Sequence, residues 1–250
     1  MVPAAFPSTK RPSRRDTLKT PRATVIEKIR ILLVDDHMVV RQGLRALLEA
    51  EPDLTVVGEA DNGRQAVELT RKDLPDVVVM DIAMPILNGL EATRQILKDV
   101  PSAKVLVLSC YSDDEYVQQL TEAGVAGYLL KQTAAADLIK AVREARKGNA
   151  YFSPTISRRL LEHYRRAFRK GRPLRQTSNV LTSRESEVLQ LIAEGKANKQ
   201  IAAELGLSIK TVEKHRQQVM NKLNLHDVAG LTRYALSKGI IKTSTGLRLS

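Results

Sequence analysis

Three aspartates stand where short apolar runs stop: Asp35 and Asp36 follow ILLV at residues 31–34, and Asp81 follows VVVM at residues 77–80. Two more such runs end in polar groups, VLVL in Ser109 and GYLL in Lys131. Ligands of open α/β sheets gather at the carboxyl ends of the strands. If these runs are strands of one sheet, the five side chains share an edge. Three converging carboxylates repel one another unless a cation lies among them, and Mg²⁺, which takes oxygen ligands, is the cation these residue types favour. A carboxylate nucleophile, a metal, a hydroxyl and a fixed ammonium are the parts needed to accept a phosphoryl group. Strand-end Asp and Ser also cap helices, so the argument rests on the five together.

The elements that must position them follow from hydrophobic periodicity. Continuous apolar runs at 31–34, 54–57, 77–80, 105–108 and 128–130 alternate with helix-periodic segments at about 37–50, 62–73, 88–99, 112–124 and 133–147. Strands apolar at every position are buried on both faces, and intervening helices serve as crossovers. The last helix puts Leu138, Ala141, Val142 and Ala145 on one face. The pattern predicts an α/β doubly wound five-stranded parallel sheet over residues 29–148.

A second chemistry lies near the C-terminus. Thr182-Ser183-Arg184-Glu185 is a capping-box pattern, Val188, Leu189 and Ile192 give its helix an apolar face, and Gly195 ends it. A short helix over 198–205, a turn at Gly206-Leu207 and an N-cap at Ser208 lead into a longer helix reaching Leu223. That order predicts a small all-α helix-turn-helix domain. Val212, Val219 and Leu223 form the inward stripe of the long helix, while Lys210, Lys214, Gln217 and Asn221 face the other way. Such a face offers donors and acceptors to base edges and phosphates; a solvated helix face would look the same, and the preceding turn and the basic charge of this region decide for DNA.

Charge agrees with this division. The chain carries 40 basic and 28 acidic residues, a formal +12, but unevenly. Residues 1–29 hold 7 basic and 2 acidic groups, residues 30–147 hold 14 and 19, and residues 148–250 hold 19 and 7. An acidic middle before a basic end fits a metal pocket joined to a binder of the phosphate backbone. Residues 1–28, mixed in Pro, Ser, Thr and Arg, read as a disordered basic tail. Residues 149–177 read as a basic linker with a short helix, leaving 178–250 for the helix-turn-helix domain. The single cysteine, Cys110, rules out an internal disulfide, and His37, His163, His215 and His226 show no metal-ligand spacing. No apolar run approaches the roughly 18 residues needed to cross a bilayer, so a soluble, cytoplasmic protein without a membrane partner is expected.

Residues 30–148 resemble a receiver domain, through V-D-D at 34–36, M-D-I-x-M-P-x-x-N-G at 80–89, L-S at 108–109 and G-Y-L-L-K at 127–131. The resemblance implies a flavodoxin-like fold and a phosphoacceptor at Asp81. Mg²⁺ would be bound by Asp36 and Asp81, by Asp35 through water and by the backbone carbonyl of Ala83. Lys131 would neutralise the phosphoryl group, Ser109 and Tyr128 would form a switch pair, and Tyr111 would shield the phosphoryl group from water. Residues 178–242 resemble the LuxR-type DNA-binding domain, through L-T-x-R-E-x-E-V-L at 181–189, G-x-x-N-K-x-I-A at 195–202 and L-S-x-K-T-V-x-K-H at 207–215. This second resemblance implies that Lys210, Thr211 and His215 hold phosphates and that Glu213, Lys214 and Gln217 face bases, with Lys199, Gln218 and Asn221 also touching DNA. The last helix, about 228–238, would support a homodimer on DNA.

From residue 30 onward the chain is similar to a bacterial two-component response regulator of the NarL/FixJ type. The expected function is transcription control. A sensor histidine kinase would phosphorylate Asp81, and phosphorylation would govern dimerisation and sequence-specific binding of double-stranded DNA. The only chemistry expected is acceptance and loss of the phosphoryl group on Asp81. The competing readings are phosphorylation-independent DNA binding and a phosphorelay or protein-interaction module.

Overall fold

The computed structural model describes residues 27–110, 114–132, 135–169 and 181–241. The tail read at 1–28 falls outside them except for Glu27 and Lys28, and Tyr111 falls outside them altogether. In the first domain, strands β1 (Ile29–Val34), β2 (Leu54–Ala60), β3 (Val77–Met80), β4 (Lys104–Ser109) and β5 (Gly127–Leu130) alternate with helices α1 (Met38–Glu49), α2 (Gly63–Asp73), α3 (Gly89–Asp99), α4 (Asp114–Ala123) and α5 (Ala135–Arg146). All strand pairs are parallel. All four residues of β3 are buried, as expected of a strand covered on both faces. Side chains alternate between two apolar layers: Leu32, Val34, Val78 and Met80 enter one, and Ile31, Leu33, Val77 and Val79 enter the other.

The order β2-β1-β3-β4-β5-β6 contains a sixth strand where the sequence pattern predicts five. Strand β6 (Tyr151–Phe152) pairs with Gly127 and Tyr128 of β5 and lies in the stretch read as linker. Two residues are too few to register as a period. Helix α6 (Pro154–Arg169) follows, its Ile156 buried in the core of the first domain.

Local chemistry sets the helix ends that matter for the site. Asn62 and Asn88 cap α2 and α3 by accepting from the N–H groups of Gln65 and Glu91. Gly89 is needed for close approach, because a Cβ there would run into the backbone carbonyl of Asp81. The second domain comprises α7 (Ser183–Ala193), α8 (Asn198–Leu205), α9 (Ile209–Leu223) and α10 (Val228–Ser237) around its own apolar core of Leu189, Ile201, Val212, Val219 and Leu231. The capping box is present at Thr182 and Glu185. Gly206 takes a left-handed conformation at the end of α8 (φ 63°), which makes the turn into α9.

Candidate functional site

Backbone hydrogen bonds carry the acidic residues just past the sheet. The Asp35 N–H donates to the Ala60 carbonyl at 3.1 Å, the Asp81 N–H to the Val34 carbonyl at 2.8 Å, and the Lys131 N–H to the Ser109 carbonyl at 2.8 Å. Since β1 and β3 are adjacent, their terminal aspartates meet. One oxygen from each of Asp35, Asp36 and Asp81 and a ring nitrogen of His37 all lie within 4.8 Å of one another. Asp35, Asp81 and Ser109 are almost fully buried.

Lys131 reaches into this cluster from the end of β5. Its Nζ forms an ion pair with Asp35 and lies 3.1 Å from Asp81 Oδ2. Burial pushes the Lys131 ammonium toward the neutral form, but the opposing charges of Asp81 and Asp35 outweigh it and raise its pKa above the ordinary lysine value. From α1, Arg41 donates to the Asp35 backbone carbonyl at 2.6 Å while its Nε pairs with Glu59. Three convergent carboxylates make a donor set suited to a hard divalent cation, with the ammonium balancing part of their charge.

The structure brings together Asp35, Asp36, Asp81 and Lys131, and Ser109 is buried at the end of β4. Tyr128, two registers inside the β5 edge, is fully buried in the apolar layer that includes Val107 and Leu120. Ala83 is buried on the loop after Asp81. Sequence reasoning missed His37, because a search for His and Cys spacing passes over a lone histidine whose neighbours in space are carboxylates.

Sequence reasoning also missed how the second domain grips the loop between β3 and α3. The Gln190 side chain of α7 is completely buried; its Oε1 accepts from the Asn88 backbone N–H at 2.9 Å and its Nε2 donates to the Met84 carbonyl at 2.8 Å. Glu194 Oε1 accepts from the Ile86 N–H at 2.9 Å. Ile86 is held at φ 69°, a conformation that β-branched residues rarely adopt. Gln95 of α3 donates to Glu187 of α7 at 2.7 Å, and Arg64 of α2 lies 4.0 Å from Glu204 of α8. No sequence pattern marks α7 for this role, since its contacts are 92 to 108 residues away along the chain.

The domain-joining bonds above come from α7 and α8, and the outward face of α9 stays open. Lys199, Lys210, Glu213, Lys214, Gln217 and Asn221 are exposed, while Thr211, His215 and Gln218 are half-buried. The Gln217 amide donates to Asn221 Oδ1 at 2.9 Å. Val212 and Val219 are buried and Leu223 is half-buried, as the projected stripe requires.

Comparison with known proteins is consistent with both halves. Residues 31–143 match the response regulator receiver domain, and residues 179–235 match the bacterial regulatory proteins of the luxR family. The transcriptional regulatory protein LiaR of Bacillus subtilis is 42% identical over 207 residues, covering 83% of this chain and 96% of LiaR. The transcriptional regulatory protein DegU of Brevibacillus brevis is 38% identical, covering 86% of this chain and 96% of its own. This chain is a LuxR-family response regulator. Among solved structures, RcsB of Salmonella enterica serovar Typhimurium, bound to promoter rprA in the presence of phosphomimetic BeF₃⁻, is similar at a TM-score of 0.54 and 28% identity, covering 83% of this response regulator and 98% of that chain. The regulator is thus a transcription regulator with a receiver and a LuxR-type DNA-binding domain. No helix among its described residues is long and apolar enough to cross a membrane.

Proposed function

We propose that phosphorylation of Asp81 by a sensor histidine kinase controls dimerisation and sequence-specific DNA binding by the C-terminal domain of this response regulator. The observation that carries this reading is the grip of α7 on the loop leaving Asp81: Gln190 and Glu194 satisfy backbone groups of Met84, Ile86 and Asn88. A change at the phosphoacceptor alters that loop first, and the loop is shared with the DNA-binding domain. Coupling requires only that the two states of Asp81 favour different loop geometries.

In this reading an Asp81 carboxylate oxygen attacks the phosphorus of the donor phosphohistidine, the N–P bond breaks, and the imidazole leaves. Hydrolysis of the acyl phosphate returns the carboxylate and inorganic phosphate, the only reactions assigned to the chain. Lys131, already paired with Asp35 and Asp81, moves its charge onto the phosphoryl oxygens. Ser109 donates to the same group, and Tyr128 follows it as the second half of the switch. Asp36, Asp81, the Ala83 carbonyl and, through water, Asp35 would hold Mg²⁺. The ion supplies neutralisation of the charge that develops on the transferring group.

On the DNA side, Lys210, Thr211 and His215 hold phosphates, Glu213, Lys214 and Gln217 face bases, and Lys199, Gln218 and Asn221 extend the contact. Helix α10 joins two copies on double-stranded DNA, and the protein works in the bacterial cytoplasm. The functional division is a tail at 1–28, a receiver at 29–148, a linker at 149–177 and a DNA-binding domain at 178–250, with β6 and α6 as the part of the linker that packs on the receiver.

The test is DNA affinity of the full chain, with and without acetyl phosphate, for wild type and Asp81→Asn. Tighter binding by the treated wild type alone supports the reading. Equal affinities in all four cases overturn it.

A further inference from the structure

His37 is the N-cap residue just before α1, yet its side chain makes no capping hydrogen bond. The imidazole turns toward the acidic pocket instead: Nδ1 lies 2.9 Å from Asp36 Oδ1 and 3.2 Å from Asp35 Oδ1. An octahedral divalent ion with metal–ligand bonds of about 2.1 Å sets neighbouring donor atoms about 3.0 Å apart. The 2.9 Å separation from Asp36 Oδ1 suits adjacent donors on one ion as well as a hydrogen bond from Nδ1–H, and Asp36 is the carboxylate already assigned to direct metal binding, with Asp35 acting through water. The backbone N–H of His37 also donates to Asp35 Oδ1 at 2.9 Å, which fixes the residue beside the carboxylates. The His37 side chain is 57% exposed, so its ring can reorient without disturbing the core.

Mg²⁺ prefers oxygen donors and keeps its waters, whereas imidazole suits first-row transition ions. We propose that His37 is a nitrogen donor to the metal pocket of this regulator and biases it toward ions such as Mn²⁺ and Co²⁺ relative to Mg²⁺. The proposal rests on reading the acidic pocket as the metal site. With an ion bound, Nδ1 contributes its lone pair and the imidazole proton resides on Nε2. The metal that supports phosphoryl acceptance is then set partly by which divalent ions are abundant.

The experiment uses the full chain without an affinity tag. Co²⁺ and Mg²⁺ are titrated calorimetrically into wild type, His37→Asn and Asp36→Asn, and the electron spin echo of bound Mn²⁺ is recorded for ¹⁴N modulation. In His37→Asn the ratio of Co²⁺ to Mg²⁺ affinity falls about tenfold and the imidazole ¹⁴N modulation disappears. An unchanged ratio, or ¹⁴N modulation that persists, overturns the inference. Asp36→Asn separates the two levels of the argument. If it weakens both ions while His37→Asn leaves the ratio alone, only the role of His37 falls. If it weakens neither, the pocket is not the metal site and both readings fall.

Discussion

The acidic pocket around Asp81 and the outward face of α9 are both dense in charge, but they hold it in opposite ways. In the pocket, Asp35 and Asp81 are almost fully buried and Lys131 is bonded to both. On α9, Lys210, Glu213 and Lys214 are exposed. A buried set of opposed charges is sensitive to one added charge, because each member's position depends on the others. Exposed charges contribute little until a partner arrives, and then contribute affinity. The molecule therefore holds its charge in a buried, mutually bonded cluster in one domain and on an open helix face in the other, with α7 touching the loop that leaves the first.

Substitutions can break or sharpen this contrast. The largest effect belongs to Asp81→Asn, which abolishes phosphoryl incorporation from acetyl phosphate, as read by intact mass spectrometry. A modified product in that variant would move the acceptor elsewhere. Next is Lys131→Met, which leaves two buried carboxylates without their cation and costs about 3 kcal/mol of stability. Urea unfolding in chelator should show that loss, and added Mg²⁺ should recover part of it; an equal loss in both conditions would mean that the ammonium is merely packed.

Gln190→Ala acts where the two domains touch. It strands the Asn88 N–H and the Met84 carbonyl and weakens domain docking by about 1–2 kcal/mol. Hydrogen exchange at 84–88 should rise while the cores of both domains stay protected.

A smaller, pH-dependent effect is expected within the DNA-binding domain. Burial opposes ionisation of Glu185, but the hydrogen bond from Lys222 and those of the capping box outweigh it and hold its pKa below the ordinary 4.5. The resulting stability is complete above pH 4.5 and is lost as pH falls through the lower folded value. Lys222→Met should therefore be less stable than wild type by about 1–2 kcal/mol near neutral pH, with the gap closing below pH 4.5. A constant gap would assign the loss to packing.

Smallest in stability are Lys210→Met and Lys214→Met, each within about 0.5 kcal/mol of wild type. Their signature is in binding: each should lower the slope of log affinity against log salt by about 0.9. A stability loss as large as that of Lys131→Met would erase the contrast between the regions.

Much of this is legible in the amino-acid sequence. Apolar runs ending in Asp, Ser and Lys put five groups at one sheet edge because parallel strands carry their ligands there, and Asp35, Asp36, Asp81 and Lys131 meet at it. The capping box at Thr182 and the stripe of Val212 and Val219 were equally plain, because helix caps and amphipathic faces depend on residues within four positions of each other. The strand β6 escaped because two residues carry no period, and its place is decided by a free edge on β5. His37 escaped because its neighbours in the pocket are carboxylates, one of them brought in by a different strand.

The amino-acid order by itself determined the alternation of strands and helices, the charges at their ends and the polar outward face of α9, since each follows from backbone periodicity and local capping. Only the tertiary structure decided that Gln190 and Glu194 would close on the loop after Asp81, and that Arg41 would secure the Asp35 backbone. Those bonds join groups whose encounter depends on how finished elements pack. An unpaired N–H or carbonyl specifies that it needs a partner, but not which distant side chain will supply one.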